Sequence, residues 1–544
     1  MQSTPYFDSA DIEQVLPTFG SPALIIDAEI IRRQMRKFLE ALPGITPYYS
    51  VKTNPHPLVL DTLREFGAHY DAATLGEIKL LLGRGVNAEA ILFTHPVKTE
   101  AEIHEALALG VTMFTLDSLS ELQRLAHTAP NARYFLRLAL MNNASLYDYK
   151  RKFGASLHEA REILDYAAQR QLPVAGISFM VGSQSMRLEP WDKALRRTLE
   201  LFTEYYSMLP SLRTVNIGSG FPLPYAFDET LPSLTEIGDL LHMYQTRFPQ
   251  GVRFIAEPGR FIAGPAAALK TTVTRRLSRS DQQWLYVNAN AYSGLIEIIE
   301  SGGKFRYPIS SDAGGEPWPF TVAGKTLDPD DRLGDDVLLG SETTEGSVLT
   351  VRDAGAYSTS FFTDYHTLPH PSIIMVDSKY AKNVHLTMAG MGIGGLQAKH
   401  DFMPAELLFR VSGQFVRKRS RTSFQVDVSR HIEPTIFGAF LNHSCDPNVG
   451  VRSNAMGHYD IIARRPIAAG EDIAVDYAMF EYETGPMSSV PCLCGSPKCR
   501  RHITGYKDLP ANLRDEYRDC TASYLIQHYA DQAGTQTEAE AVAA

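Results

Sequence analysis

From about residue 22 to 268, short apolar runs recur at a steady spacing, and most are followed by an amphipathic stretch. The runs are "PALIID", "ITPYYSVK", "HYDAAT", "AILFTH", "MFTLDS", "YFLRLAL", "AGISFMVG", "TVNIGSG" and "FIAEPG". A strand apolar on both faces must be covered on both faces, and an intervening helix such as "SLSELQRLAHTA" supplies the cover. Repeated units of this kind predict a closed (β/α) barrel over residues 20–268, with functional side chains at the carboxyl ends of the strands. From 269 to 377 the pattern changes to β segments with Gly, Asp and Pro turns, such as "KTTVTRRLS" and "VLTVRDAG". We assign these, with residues 1–19, to a β domain. "TLPHPS" then punctuates the chain, and beyond 384 come short strands and a glycine-rich opening, "AGMGIGG".

At 544 residues the chain is too long for one hydrophobic core, so several domains are expected. Its 44% hydrophobic and 21% charged residues include no apolar run long enough to span a bilayer, which argues against a membrane protein. "MQSTPYFDSADIEQ" has no basic segment followed by an apolar one, as a secretory signal would. Five cysteines do not make a disulfide framework and point to a reducing, cytoplasmic setting. A net charge of −10 leaves no electrostatic footprint for nucleic acid, and the basic cluster "VRKRSRTS" reads as a solvated loop. Residues 509–544 read as a polar helix followed by a small, polar, disordered tail.

Lys52 in "PYYSVKTNP" ends an apolar strand, where a barrel would aim it into its mouth. Gly218, Ser219 and Gly220 form a tight turn whose bare amides could cradle a phosphate, and "AEPGRF" sets Glu257 beside a second such turn at Gly259 and Arg260. A nucleophilic lysine, an anion nest and a carboxylate facing a ring nitrogen are what pyridoxal phosphate requires. Over residues 20–375 these motifs resemble the alanine-racemase-like pyridoxal enzymes, in the ornithine/diaminopimelate decarboxylase branch. The resemblance implies that Lys52 carries the cofactor and that Asp71 and Glu77 of "YDAATLGEI", Arg137 of "FLRLAL" and Ser183 of "VGSQ" help hold it. It further implies that Tyr357 of "GAYSTSF" reaches the phosphate, and that Glu257, where racemases of this fold carry arginine, favours decarboxylation of a small-molecule amino-acid substrate.

Three positions depart from the family pattern. Met180 replaces the histidine that stacks on the pyridine ring, and Leu327 replaces the loop cysteine that returns a proton to the substrate carbon. Ala289 replaces an aspartate that helps grip ornithine's distal amine, while the neighbouring carboxylate survives as Asp328, so ornithine is not the expected substrate. Lys152 and Asp331 match a pair that bridges subunits in the family. This implies a homodimer in which Asp328, in a catalytic role, and Tyr357 belong to the partner's site.

"PCLCGSPKCR" supplies Cys492, Cys494 and Cys499, one ligand short of a tetrahedral zinc, and Cys445 of "FLNHSCDPN" is the fourth. These motifs, with "GEDIAVDYAMFEYE" and "GMGIGGLQA", resemble the SET-domain methyltransferases over residues 384–508, with the SET domain at 384–485 and a zinc-binding post-SET segment at 486–508. The resemblance implies S-adenosylmethionine bound by Gly392, Gly394, Asn442, His443 and Tyr477, with Tyr477 orienting an attacking amine. Val475, two residues earlier, would leave an apolar pocket that admits more than one methyl group. The methyl acceptor, a protein lysine or a small amine, is not legible. A competing expectation is a non-catalytic pyridoxal-fold scaffold recruiting substrates to a methyltransferase.

Overall fold

The computed structural model describes residues 6–140, 152–227, 229–388, 394–485 and 490–532. They gather into two compact units, one of residues 21–24 and 30–372, the other from within 1–20, 25–29 and 373–544. No described helix is long and apolar enough to cross a membrane.

In the first unit eight parallel strands close a barrel in chain order. After a strand β1 (Ala23–Asp27), which stays outside the barrel, come β2 (Ile45–Ser50), β3 (His69–Ala72), β4 (Ile91–Phe93) and β5 (Met113–Leu116). Next follow β6 (Arg133–Leu138), β7 (Val174–Phe179), β8 (Thr214–Asn216) and β9 (Arg253–Ala256). Closure is the register of β2 on β9, Ile45 against Phe254 and Pro47 against Ala256. Thus eight of the nine apolar runs build the barrel. Tyr48, Leu92, Met113, Phe135, Ala175 and Ile255 fill its lower half as one buried cluster.

Three of the crossover helices open on a capping box. Thr99, Ser156 and Ser233 each accept the N–H of the glutamate three residues on, and that glutamate returns the bond, so two otherwise orphan amides are satisfied per helix. A mostly antiparallel sheet follows, built from Ala267–Arg279, Gln282–Val287, Ile309–Ser311, Pro317–Ala323, Arg332–Gly340 and Val348–Val351. This is the expected β domain.

The second unit is β-rich. Val384–Met388, Gly394–Ala398, Asp472–Val475 and Asn442–His443 form one sheet in that order, and two three-stranded sheets complete it. The opening segment corrects the expectation that placed residues 1–19 with the preceding β domain, because its described part packs in this second unit. Ile12 and Val15, on one face of the helix Ala10–Phe19, are fully buried. The Asp11 carboxylate accepts the Leu386 N–H at 3.2 Å, and the Tyr6 ring meets Phe437 at 6.4 Å. Ile12→Asp would put an unpaired charge into this contact, at a cost on the order of 3 kcal/mol or more. The unfolding transition carrying the second unit should fall by several degrees in calorimetry, with the barrel's transition unmoved. Equal shifts in both would refute the assignment of the helix.

Two candidate active sites

The barrel's closure brings the carboxyl ends of its strands to one rim around a cavity of about 420 Å3. Lys52, in the turn after β2, donates to Asp71 Oδ2 at 2.8 Å. Asp71 is buried and also accepts from Ser50 Oγ at 2.7 Å and from Thr94 Oγ1. Burial opposes the charge on both partners, but each stabilises the other, so Lys52 is pushed up and Asp71 down. The Lys52 side chain remains 44% exposed, so this nucleophile can be reached.

Glu257 follows β9 at the cavity wall. The Asn216 amide at the end of β8 donates to its Oε1 at 2.6 Å, and its own N–H donates to Gly218 O. Burial, and then the charge of Asp71, push Glu257 up to about 7. A carboxylate so placed gains from a cation such as a pyridinium N–H. Beside it, Gly218 and Gly220 adopt φ of 64° and 112°, and a Cβ on either would strike backbone oxygens of Phe179 and Gly182. Among the described residues the amides of Ser219 and Gly220 find no acceptor, which suits an anion. At Gly259 a Cβ would meet Thr53, itself buried with an unbonded hydroxyl.

Arg137, Ser183 and Arg260 line the cavity with Lys52 and Glu257, whereas other expected residues hold other positions. Arg137 and Met180 line the cavity together, with Arg137 Nη2 4.0 Å from the Met180 sulfur. Ser183 accepts from Arg260 at 2.9 Å, and Arg260 is doubly bonded to Glu297, so its charge is already compensated. Glu77 does not line the cavity. It accepts the Ala73 N–H at 2.5 Å and holds the turn after β3. Tyr357 lines the cavity of its own chain and donates its N–H to Thr53 O, which corrects its expected place in a partner's site. Asp331 is only 2% exposed and accepts from Ala291 and Thr326, so it is not the free member of a surface pair, and Lys152 instead lines the cavity beside Phe153.

Ala289 is fully buried away from the cavity, whereas Glu297 and Glu300 line it. Burial and then Glu297 push Glu300 up. Sequence reasoning missed both, although "EIIE" spaces two carboxylates by one helical turn.

In the second unit the parallel pairing of Asn442–His443 with Asp472–Val475 builds one wall of a cleft of about 700 Å3. Asn442 Nδ2 donates to Gly394 O at 3.2 Å, and the Tyr477 hydroxyl donates to Leu441 O at 3.1 Å. Burial pushes that phenol up to about 12, so it stays protonated at neutral pH. The His443 ring lies edge-on to Tyr477, centroids 5.2 Å apart. Gly392 lies outside the described residues. Val475 is fully buried and does not line this cleft. Cys445, Cys492, Cys494 and Cys499 converge with all four Sγ atoms within 4.8 Å of one another. Arg500 N–H points at the Cys445 sulfur at 3.4 Å, and the Arg500 guanidinium forks onto buried Asp476 at 2.6 and 2.8 Å.

A lysine, an anion nest and a buried carboxylate thus share one rim of a parallel barrel. Residues 28–264 match the family model of the pyridoxal-dependent decarboxylase pyridoxal binding domain, and residues 322–478 match the SET domain. The part of the latter match between 322 and 351 lies on strands of the first unit's sheet. A lysine/ornithine decarboxylase of Selenomonas ruminantium is 29% identical over 368 residues, 68% of this chain and 93% of that one. The solved lysine/ornithine decarboxylase of Vibrio vulnificus, complexed with putrescine, is 31% identical with a TM-score of 0.62, covering 67% of this chain and 97% of that one. Paramecium bursaria Chlorella virus arginine decarboxylase, bound to agmatine, gives a TM-score of 0.62 at 27% identity, over 67% of this chain and 98% of that one. The chain belongs to the pyridoxal-dependent decarboxylase family across its first two-thirds, with a SET domain fused behind.

The raised Glu257 gives a test independent of catalysis. Its pKa of about 7 when folded exceeds the ordinary 4.5, so folding takes up a proton between those values. Stability of the cofactor-free protein should therefore fall as pH rises through that window and stay low above it. In chemical denaturation at about pH 5 and about pH 8, Glu257→Gln should show a smaller drop in the barrel's stability. An unchanged drop would refute the assignment.

Proposed function

We propose that the chain is a bifunctional enzyme, with pyridoxal-dependent decarboxylation of an amino acid in the barrel and S-adenosylmethionine-dependent N-methylation in the second unit. The observation that carries the first half is the Lys52–Asp71 pair facing an Asn216-held Glu257 beside the unbonded Ser219 and Gly220 amides. These residues fit the cofactor. Lys52 would hold it covalently, Glu257 would keep its ring nitrogen protonated, the glycine turn would take its phosphate, and Met180 would pack against it. Bound there, pyridoxal phosphate supplies an electron sink for the pair released when the α-carboxyl leaves as carbon dioxide.

Glu300 supports a substrate with a distal cation, the class to which the relatives' lysine, ornithine and arginine belong. The expectation against ornithine rests on the absence of a carboxylate at Ala289, and Ala289 indeed contributes nothing to the cavity lining. Leu327, 89% exposed on its loop beside Asp328, supports a homodimer that would cover it.

For the second half, Asn442, His443 and Gly394 would hold S-adenosylmethionine, which supplies an electrophilic methyl group. Tyr477, fixed by Leu441 O and protonated at neutral pH, would orient an acceptor amine and cannot serve as the base that deprotonates it. Protein lysine and small alkylamines fit this chemistry equally, and decarboxylation itself makes alkylamines. Zinc fits the four cysteines, because a tetrahedron with bonds of about 2.3 Å has sulfur–sulfur edges of about 3.8 Å. Cys445 and Cys492 stand 3.8 Å apart.

Borohydride reduction of the holoenzyme should fix the cofactor to the Lys52 peptide and bleach its visible band, and Lys52→Ala should lose covalent attachment. A label on another lysine would overturn the reading. Against lysine, ornithine and arginine, Glu300→Gln should lower kcat/KM about tenfold to a hundredfold for whichever is turned over, with the pyridoxal spectrum intact. Unchanged kcat/KM would remove Glu300 from the substrate site. Metal analysis should find one zinc per chain. Cys445→Ser should lower zinc content and methyl transfer while sparing the pyridoxal band, and full zinc content in that variant would exclude Cys445 as a ligand.

A further inference from the structure

The opposite end of the barrel from Lys52 carries a second hollow, of about 610 Å3, which neither proposed reaction uses. Its floor is the underside of the barrel's core, namely Met113, Phe135, Ala175 and Ile255, with Tyr48 as the polar tip. Three arginines stand around it. Arg133 opens β6, Arg253 opens β9, and Arg213 directly precedes β8. In the barrel's strand order, β8 and β9 are neighbours and β6 stands two strands from β8, and all three arginines line the hollow.

Residues at the strand starts of a barrel ordinarily serve stability. Among the described residues, none of the three is paired with a carboxylate, and the one acidic residue of the lining, Glu89, is exposed. Arg213 is held in place by stacking on Tyr206 at 3.9 Å and by donating to Leu212 O at 2.9 Å. Arg133 and Arg253 share the lining with buried Tyr48, whose phenol burial pushes up and the two arginine charges partly draw back down. Ser211 and His69 add polar atoms to the wall. Such convergence of planar, multiply donating cations over an apolar floor, in a chain of net charge −10, suits a compact polyanion.

We propose that the amino-terminal mouth of the barrel is a binding site for a small multiply charged anion, a phosphate ester or a polycarboxylate, held by Arg133, Arg213 and Arg253. Pyridoxal-loaded full-length protein, in which the phosphate nest of the first site is filled, would be titrated calorimetrically with pyrophosphate and with citrate at matched ionic strength. Saturable binding of one anion per chain is expected. The double variant Arg133→Gln/Arg253→Gln should weaken it at least tenfold while leaving the pyridoxal absorbance unchanged. Ala90→Glu, which adds a carboxylate to the lining and removes no arginine, should weaken it likewise. Binding of pyrophosphate alone assigns the site to phosphate esters, and binding of citrate alone assigns it to polycarboxylates. No saturable heat with either anion, or equal affinity in wild type and both variants, overturns the proposal.

Discussion

Closure of the barrel, β2 against β9, is the constraint on which the first site depends. It brings Lys52 and Glu257, far apart in the chain, onto one rim and confines them to a small volume with Asp71. Three ionisable groups in that volume cannot all behave as they would in water. The lysine and Asp71 stabilise each other, and Glu257 is left at a wall where a proton is favoured. The geometry thus sorts one carboxylate to hold the nucleophile and the other to await a ring nitrogen.

What was legible in the sequence was chemistry placed at strand ends. Lys52, Glu257 and the glycine turn could be read because few other residue types perform those tasks and because period and spacing located the ends of the strands. The four cysteines were legible for the same reason. Residues whose role depends on where a loop returns were not. Ala289 and Asp331 sit in the right neighbourhood of the sequence, but their backbones turn them into the interior. Tyr357 returns to its own chain's cavity, held by Thr53, through a contact between residues about three hundred positions apart. Arg260 is neutralised by Glu297, whose helix is a single turn and carries only the faint "EIIE" spacing as its signal.

The second unit reaches a comparable economy through one short strand. Asn442 and His443 pair with the strand leading to Tyr477, and Cys445 follows two residues on. The thiol cluster, the amide that holds Gly394 and the buried phenol are therefore fixed by the same few backbone bonds. Asp476 adds a further tie, since its buried carboxylate is satisfied by Arg500 from the cysteine-rich segment. Losing that segment would leave a buried anion unpaired, which ordinarily destabilises by several kcal/mol.

The helix Ala10–Phe19 belongs to the unit whose remaining residues come mostly after 372, so one unit is made from both ends of the chain and the other from its middle. Order of synthesis then matters. On the ribosome this helix emerges before the barrel with Ile12 and Val15 uncovered, and the surface that buries them is translated only after the whole barrel. The barrel can complete itself in that interval, because all its strands lie between the two halves of its neighbour. A single cut cannot separate the two units without stripping the second of its helix Ala10–Phe19, whereas circular permutation, joining the ends of this chain and opening it near residue 372, would leave each unit continuous but for a few residues around β1.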